Sequence, residues 1–239
     1  MIHQKLVEVI AQELYQDSNV SALILYGSVS RKEETANSDI DLLVIVSENQ
    51  LQKRHVVREG ITIEFVEMHI GFLQNFIEKK ETPILSALSH GKLLFSKTTQ
   101  LEQLIAEAKE ILEKGPSRNP RWENEEYRIF KRSELTEIYL DLLDVEDEVS
   151  FHYITALFIA NTLPLLLENY GVWPQTRKKM IQHLKSNCAE GYAHIETLLK
   201  SNCTLQEKRL AAKSLVNYTL KQDGGILEGD AVIFRKDHF

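Results

Sequence analysis

The residues best able to do chemistry in this chain lie between Tyr26 and Glu64. Ser38-Asp39-Ile40-Asp41 leads directly into the apolar run Leu42–Val46, and a period of two puts Asp39 and Asp41 on one face of a strand. At about 3.3 Å per residue their Cα atoms stand roughly 6.6 Å apart. Aspartate is depleted in strands, like charges side by side repel, and burial beside Leu, Val and Ile makes two bare carboxylates costlier still. Cations resolve the conflict. Oxygen ligands alone point to Mg²⁺, which takes one or two carboxylates, waters and substrate phosphates. In Ile61-Thr62-Ile63-Glu64-Phe65-Val66 the apolar residues Ile61, Ile63 and Phe65 face one way and Glu64 the other. If this strand neighbours the first, Glu64 completes a three-carboxylate site for two metal ions, an arrangement suited to in-line displacement at phosphorus.

Gly27-Ser28 supplies the other half. Glycine lets the backbone approach a phosphate closely, and Ser28 offers a hydroxyl and an N–H where a helix is expected to begin. Arg31, one turn on, can reach a triphosphate oxygen. Taken alone, Gly27-Ser28 is a simple strand-to-helix turn; the acids that follow make it a candidate nucleotide site.

Gly27-Ser28, ten residues, Asp39-x-Asp41 and then the Ile63-Glu64-Phe65 strand resemble the nucleotidyltransferase signature of the DNA polymerase beta superfamily. Within it, Val20–Ser47 is most similar to the kanamycin (aminoglycoside) nucleotidyltransferases. That resemblance implies a nucleotidyltransferase domain followed by a helical domain, and transfer of AMP from Mg·ATP to a hydroxyl of an antibiotic. It implies Asp39 and Asp41 as metal ligands, Glu64 as the third acid, and Ser28 on the triphosphate. Glu134-Leu135-Thr136-Glu137 resembles the segment that carries the family's general base, which makes Glu137 the candidate for that role. The family places a Lys four residues later, where this chain has Asp141. A homodimer is implied by the same resemblance and by no residue pattern of its own.

Read without the family, Glu134, Glu137 and Asp141 share one helix stripe at i, i+3 and i+7, which is either a solvated face or an attractor for a polycationic sugar. Lys178 and Lys179 read as a solvated face or as a phosphate contact. Arg177, five residues, then His183 fits the loose spacing of HEPN-type ribonucleases, a short pattern that chance supplies easily in a chain with eight histidines. His55, His69, His152 and His194 show no metal-ligand pairing. Trp122 and Trp173 read as core or interdomain anchors.

The elements that must hold these residues follow from periodicity. Ile2, Leu6, Val9/Ile10 and Leu14 predict an opening amphipathic helix, and Val20–Tyr26, Asp39–Val46, Ile61–Val66 and Lys92–Phe95 predict four strands. Phe72–Ile77 and Ile84–Leu88 predict short helices. Past Ser96 the signals turn helical, first over Leu101–Leu112 and then over 122–143, 147–169, 175–186, 190–200 and 205–221. Gly171 is placed to end the second of these last five and Pro174 to start the third. Ala231–Phe234 predicts one strand in the tail. The fold class is therefore α+β, with a small mixed sheet in a nucleotidyltransferase domain over 1–98 and a helical-bundle acceptor-binding domain over 99–239, the acceptor lying between them.

Composition narrows the function. Twenty-eight Lys plus Arg against 35 Asp plus Glu leave a net charge of −7, which argues against bulk nucleic-acid capture and favours a cationic partner or metal ions. The two cysteines, Cys188 and Cys203, cannot build a disulfide framework. The N-terminal segment carries Glu8 and Glu13 and does not read as a signal peptide, and Ile154–Leu167 is interrupted and short for a membrane span. A soluble, cytoplasmic protein is expected. The expected co-substrate is ATP or another nucleoside triphosphate, and the expected partner is a small hydroxylated acceptor, with an aminoglycoside first, and a lincosamide or endogenous metabolite as alternatives. Adenylylation of a protein or tRNA, as in antitoxin-type relatives, and nucleotide sensing without turnover are the rivals.

Overall fold

A computed structural model of the chain describes residues 2–118, 120–174 and 179–228. Helix α1 (Ile2–Gln16) opens the chain with Leu6, Val7 and Ile10 buried, followed by strand β1 (Val20–Tyr26) and a single helical turn, α2 (Gly27–Ser30). Next come β2 (Ile40–Val46), β3 (Leu51–Arg58) and β4 (Ile61–His69), then helices α3 (Ile70–Glu78) and α4 (Thr82–His90), strand β5 (Lys92–Ser96) and helix α5 (Gln100–Lys114).

The five strands form one mixed sheet in the order β3-β4-β2-β1-β5. Only β2 and β4 run parallel; the other neighbours are antiparallel. Alternation decides the faces. Leu23, Leu25, Ile40, Leu42, Val44, Ile63 and Phe65 pack in one cluster with Leu6, Val7 and Ile10 of α1. The intervening residues turn to the opposite face. There Ile24 meets the end of α4 at Gly91, where an added Cβ would lie 2.7 Å from the Ile24 side chain. Tyr26, Asp41 and Glu64 belong to this second set.

Strand β3 is not expected from the apolar pattern. Every residue of Leu51–His55 is exposed, and Gln52 to His55 are all polar, as an edge strand tolerates. The alternation that marks a half-buried strand is therefore missing. Its local signal is the turn instead. Glu59 and Gly60 both take positive φ, 52° and 78°, in a two-residue connection from Arg58 to Ile61, the hairpin geometry that X-Gly pairs favour.

The chain divides into two compact units, Met1–Lys114 and Gly115–Phe239. The division falls after Lys114 rather than after residue 98 because α5 packs on α3 and α4. The second unit includes a 3-10 turn, Pro120–Glu123, and helices α6 (Glu125–Asp144), α7 (Glu148–Asn169), α8 (Met180–Asn187), α9 (Ala189–Leu199) and α10 (Leu205–Thr219). Asn124 caps α6 by accepting from the Tyr127 N–H, and a reciprocal Thr204–Glu207 capping box starts α10. Gly171, at φ 63°, ends α7 as expected, with the Val172 N–H reaching back to the Leu167 carbonyl at 2.9 Å. The core of this unit includes Trp122, Leu142, Phe151, Phe158, Leu166, Leu184, Ile195 and Leu215.

Helix α7 is long and apolar enough to cross a membrane by length and composition alone, yet Phe151, Phe158 and Leu163 are among its residues buried in the bundle. Cys188 and Cys203 are free. The first residues of the helix expected after Pro174, Arg177 and Lys178, and the Ala231–Phe234 strand lie outside the described residues.

Candidate active site

Strand register assembles the site in the first unit. Asp41 lies opposite Tyr26 on one side and Glu64 on the other, so three polar side chains stand side by side on one face across β1, β2 and β4. Asp39 stands one residue before β2 and is exposed; the strand starts one residue later than its pattern predicts. His3 of α1 is buried, and its Nε2 lies 3.0 Å from the Ser38 carbonyl. It thereby ties the segment before Asp39 to the helix.

Gly27 is at φ 73°, a conformation that glycine adopts at little cost. A Cβ there would sit 1.8 Å from Asp41 Oδ2, so the absent side chain makes the room the carboxylate occupies. Ser30 Oγ donates to the Gly27 carbonyl at 2.9 Å, and the Ser28 carbonyl accepts from the Arg31 and Glu33 N–H groups. Ser28 is thus fixed at the start of the turn. Arg31 pairs with Glu33 at 2.9 Å.

The electrostatics follow from crowding. Burial, then the charges of Asp39 and Glu64, push the Asp41 carboxyl up to about 6, against a smaller lowering from Lys53 and Arg31. Burial and the neighbouring acids also push the Tyr26 phenol upward. Glu64 is not bare: Lys53 Nζ lies 2.7 Å from Oε2, His55 Nε2 lies 3.8 Å from the same oxygen, and Tyr26 donates to Oε1 at 3.5 Å. Neither Lys53 nor Tyr26 is among the site residues expected from sequence. Lys53 is hidden because nothing in its own strand marks β3 as part of the sheet.

The donor set fits a divalent cation. Ionised, the half-buried Asp41 carries charge that Lys53 and Arg31 only partly offset, and carboxylate oxygens suit a hard ion. Among the described residues no group of three His, Cys, Asp or Glu side chains is already arranged to hold a metal. Asp39 and Glu64 both act on the Asp41 carboxyl through their charge, and Glu64 is engaged by Lys53.

Glu137 belongs to the second unit. It is exposed on α6 and accepts from Ser133 Oγ at 2.7 Å. Glu134, one turn earlier, pairs with Lys131 at 2.6 Å. Lys131 and Glu134 line an open groove of about 200 Å³ with Trp122, Tyr127, Asn161 and Glu168.

Residues 8–100, which carry the mixed sheet and the Gly-Ser turn, match the family described as Polymerase beta, Nucleotidyltransferase. The matched stretch lies within the first unit, Met1–Lys114, and covers the strands and the Gly27-Ser28 turn that hold the site. Enzymes of this family generally use a nucleoside triphosphate and a divalent metal. Among solved structures, the chain is similar to a nucleotidyltransferase-like protein from Exiguobacterium sibiricum 255-15, at 16% identity and a TM-score of 0.49, over 93% of this chain and 75% of that one. No curated protein matches.

Proposed function

We propose that this protein moves a nucleoside monophosphate, AMP from Mg·ATP in the first instance, to a hydroxyl of a small acceptor such as an aminoglycoside. The observation that carries the reading is the register match of Asp41 with Glu64, with Asp39 and the Gly27-Ser28 turn alongside. Asp39 and Asp41 would hold Mg²⁺, which supplies charge to offset that of the triphosphate during displacement at the α-phosphorus. Ser28 and Arg31 are assigned to the triphosphate. The acceptor oxygen forms the new P–O bond, the α–β bridging bond breaks, pyrophosphate leaves, and the hydroxyl proton passes to a carboxylate, for which Glu137 is the candidate.

Two features support a cationic small acceptor. The exposed acids Glu137 and Asp141 extend negative charge along α6, and the groove at Trp122 is lined by Glu168 and by Glu134, the latter paired with Lys131. The test is pyrophosphate release from Mg·ATP across a panel of aminoglycosides and other alcohols. Acceptor-dependent release is expected, falling by about 10³-fold or more in Asp39→Ala with the circular dichroism unchanged. A labelled protein or tRNA after incubation with labelled ATP, or ATP binding without release for any acceptor, would replace the small-acceptor reading with adenylylation of a macromolecule or with sensing.

A further inference from the structure

The third acid of the site has a cation of its own. Lys53 reaches Glu64 Oε2 at 2.7 Å from edge strand β3, and His55 and Tyr26 stand on the same carboxylate. The side chain of Glu64 is only 15% exposed while that of Lys53 is 55% exposed. The acid is thus fixed and sheltered, and the lysine approaches it from solvent on a flexible stem.

We infer that Lys53 is a positioning residue that withholds Glu64 from metal ligation and so sets how strongly the Asp39–Asp41 pair holds its divalent ion. The inference rests on the site reading given above and deepens it. Lys53 neutralises the carboxylate that would otherwise add a third donor, and its own charge opposes a second cation nearby. Arg31, the other cation acting on Asp41, is engaged by Glu33. Among the described residues, Lys53 is thus the lysine or arginine paired directly with one of the three acids.

The experiment measures Mn²⁺ binding to the full chain by titration calorimetry, with the number of ions per chain counted by paramagnetic resonance. Lys53→Met is expected to tighten Mn²⁺ about tenfold or to add a second ion, and Lys53→Arg to behave as the parent. Unchanged affinity and count in Lys53→Met, with the thermal midpoint preserved, would overturn the inference. So would weaker binding in that variant. Asp41→Asn is the control that separates the two readings: if it leaves Mn²⁺ binding intact, the metal-site assignment itself fails.

Discussion

The acids of the sheet and the acids of α6 carry the same chemical group in different settings. Asp41 is held between two strands, half-buried, with its carboxyl pushed up to about 6. Glu137 stands exposed on a helix, with one hydroxyl donor, Ser133. A carboxylate that neighbours force together acquires an affinity for cations, whereas one on an exposed helix acts mainly through charge and reach. The difference is one of constraint rather than of residue type.

The most damaging test of that contrast is at Gly27. Gly27→Ala places a methyl group against Asp41 Oδ2 at a positive φ, costing about 1–2 kcal/mol in backbone conformation. Because the nearest atoms belong to the carboxylate assigned to the metal, transfer should fall about 10³-fold, far more than stability explains. A thermal melt beside a pyrophosphate-release assay separates the two effects, and full activity would show that the carboxylate need not sit there.

Glu137→Gln probes the helix side. With Glu137 as the base, kcat drops about 10²-fold while the KM for ATP and the thermal midpoint stay put. Unaltered kcat would return it to a solvated helix face.

The smallest effect is on stability against pH. Between about pH 4 and 6 folded Asp41 keeps a proton that the unfolded chain has lost. Its contribution therefore makes stability fall as pH rises through that window. In metal-free buffer, thermal midpoints of the parent should carry this slope, and Asp41→Asn should flatten it. A slope identical in both proteins would place the crowding elsewhere.

Much of the architecture is legible from local pattern. Strands β1, β2, β4 and β5 and the helices of the second unit follow from apolar period, and Gly171 marks the end of α7. Asp39, Asp41 and Glu64 stand out because carboxylates in or beside apolar strands conflict with their surroundings. Strand β3 does not stand out, because an edge strand needs no apolar alternation. The boundary at α5 is equally hidden, since its helical period says nothing about which unit it packs against.

Residue types and spacing were enough to specify a carboxylate pair, a Gly-Ser turn and a change from strand to helix along the chain. Periodicity acts between near neighbours, so those features are written locally. The fold in three dimensions was needed to set Glu64 opposite Asp41, to make Gly27 the space for that carboxylate, and to bring Lys53 onto the third acid. These are contacts between distant segments, fixed by strand register and by packing.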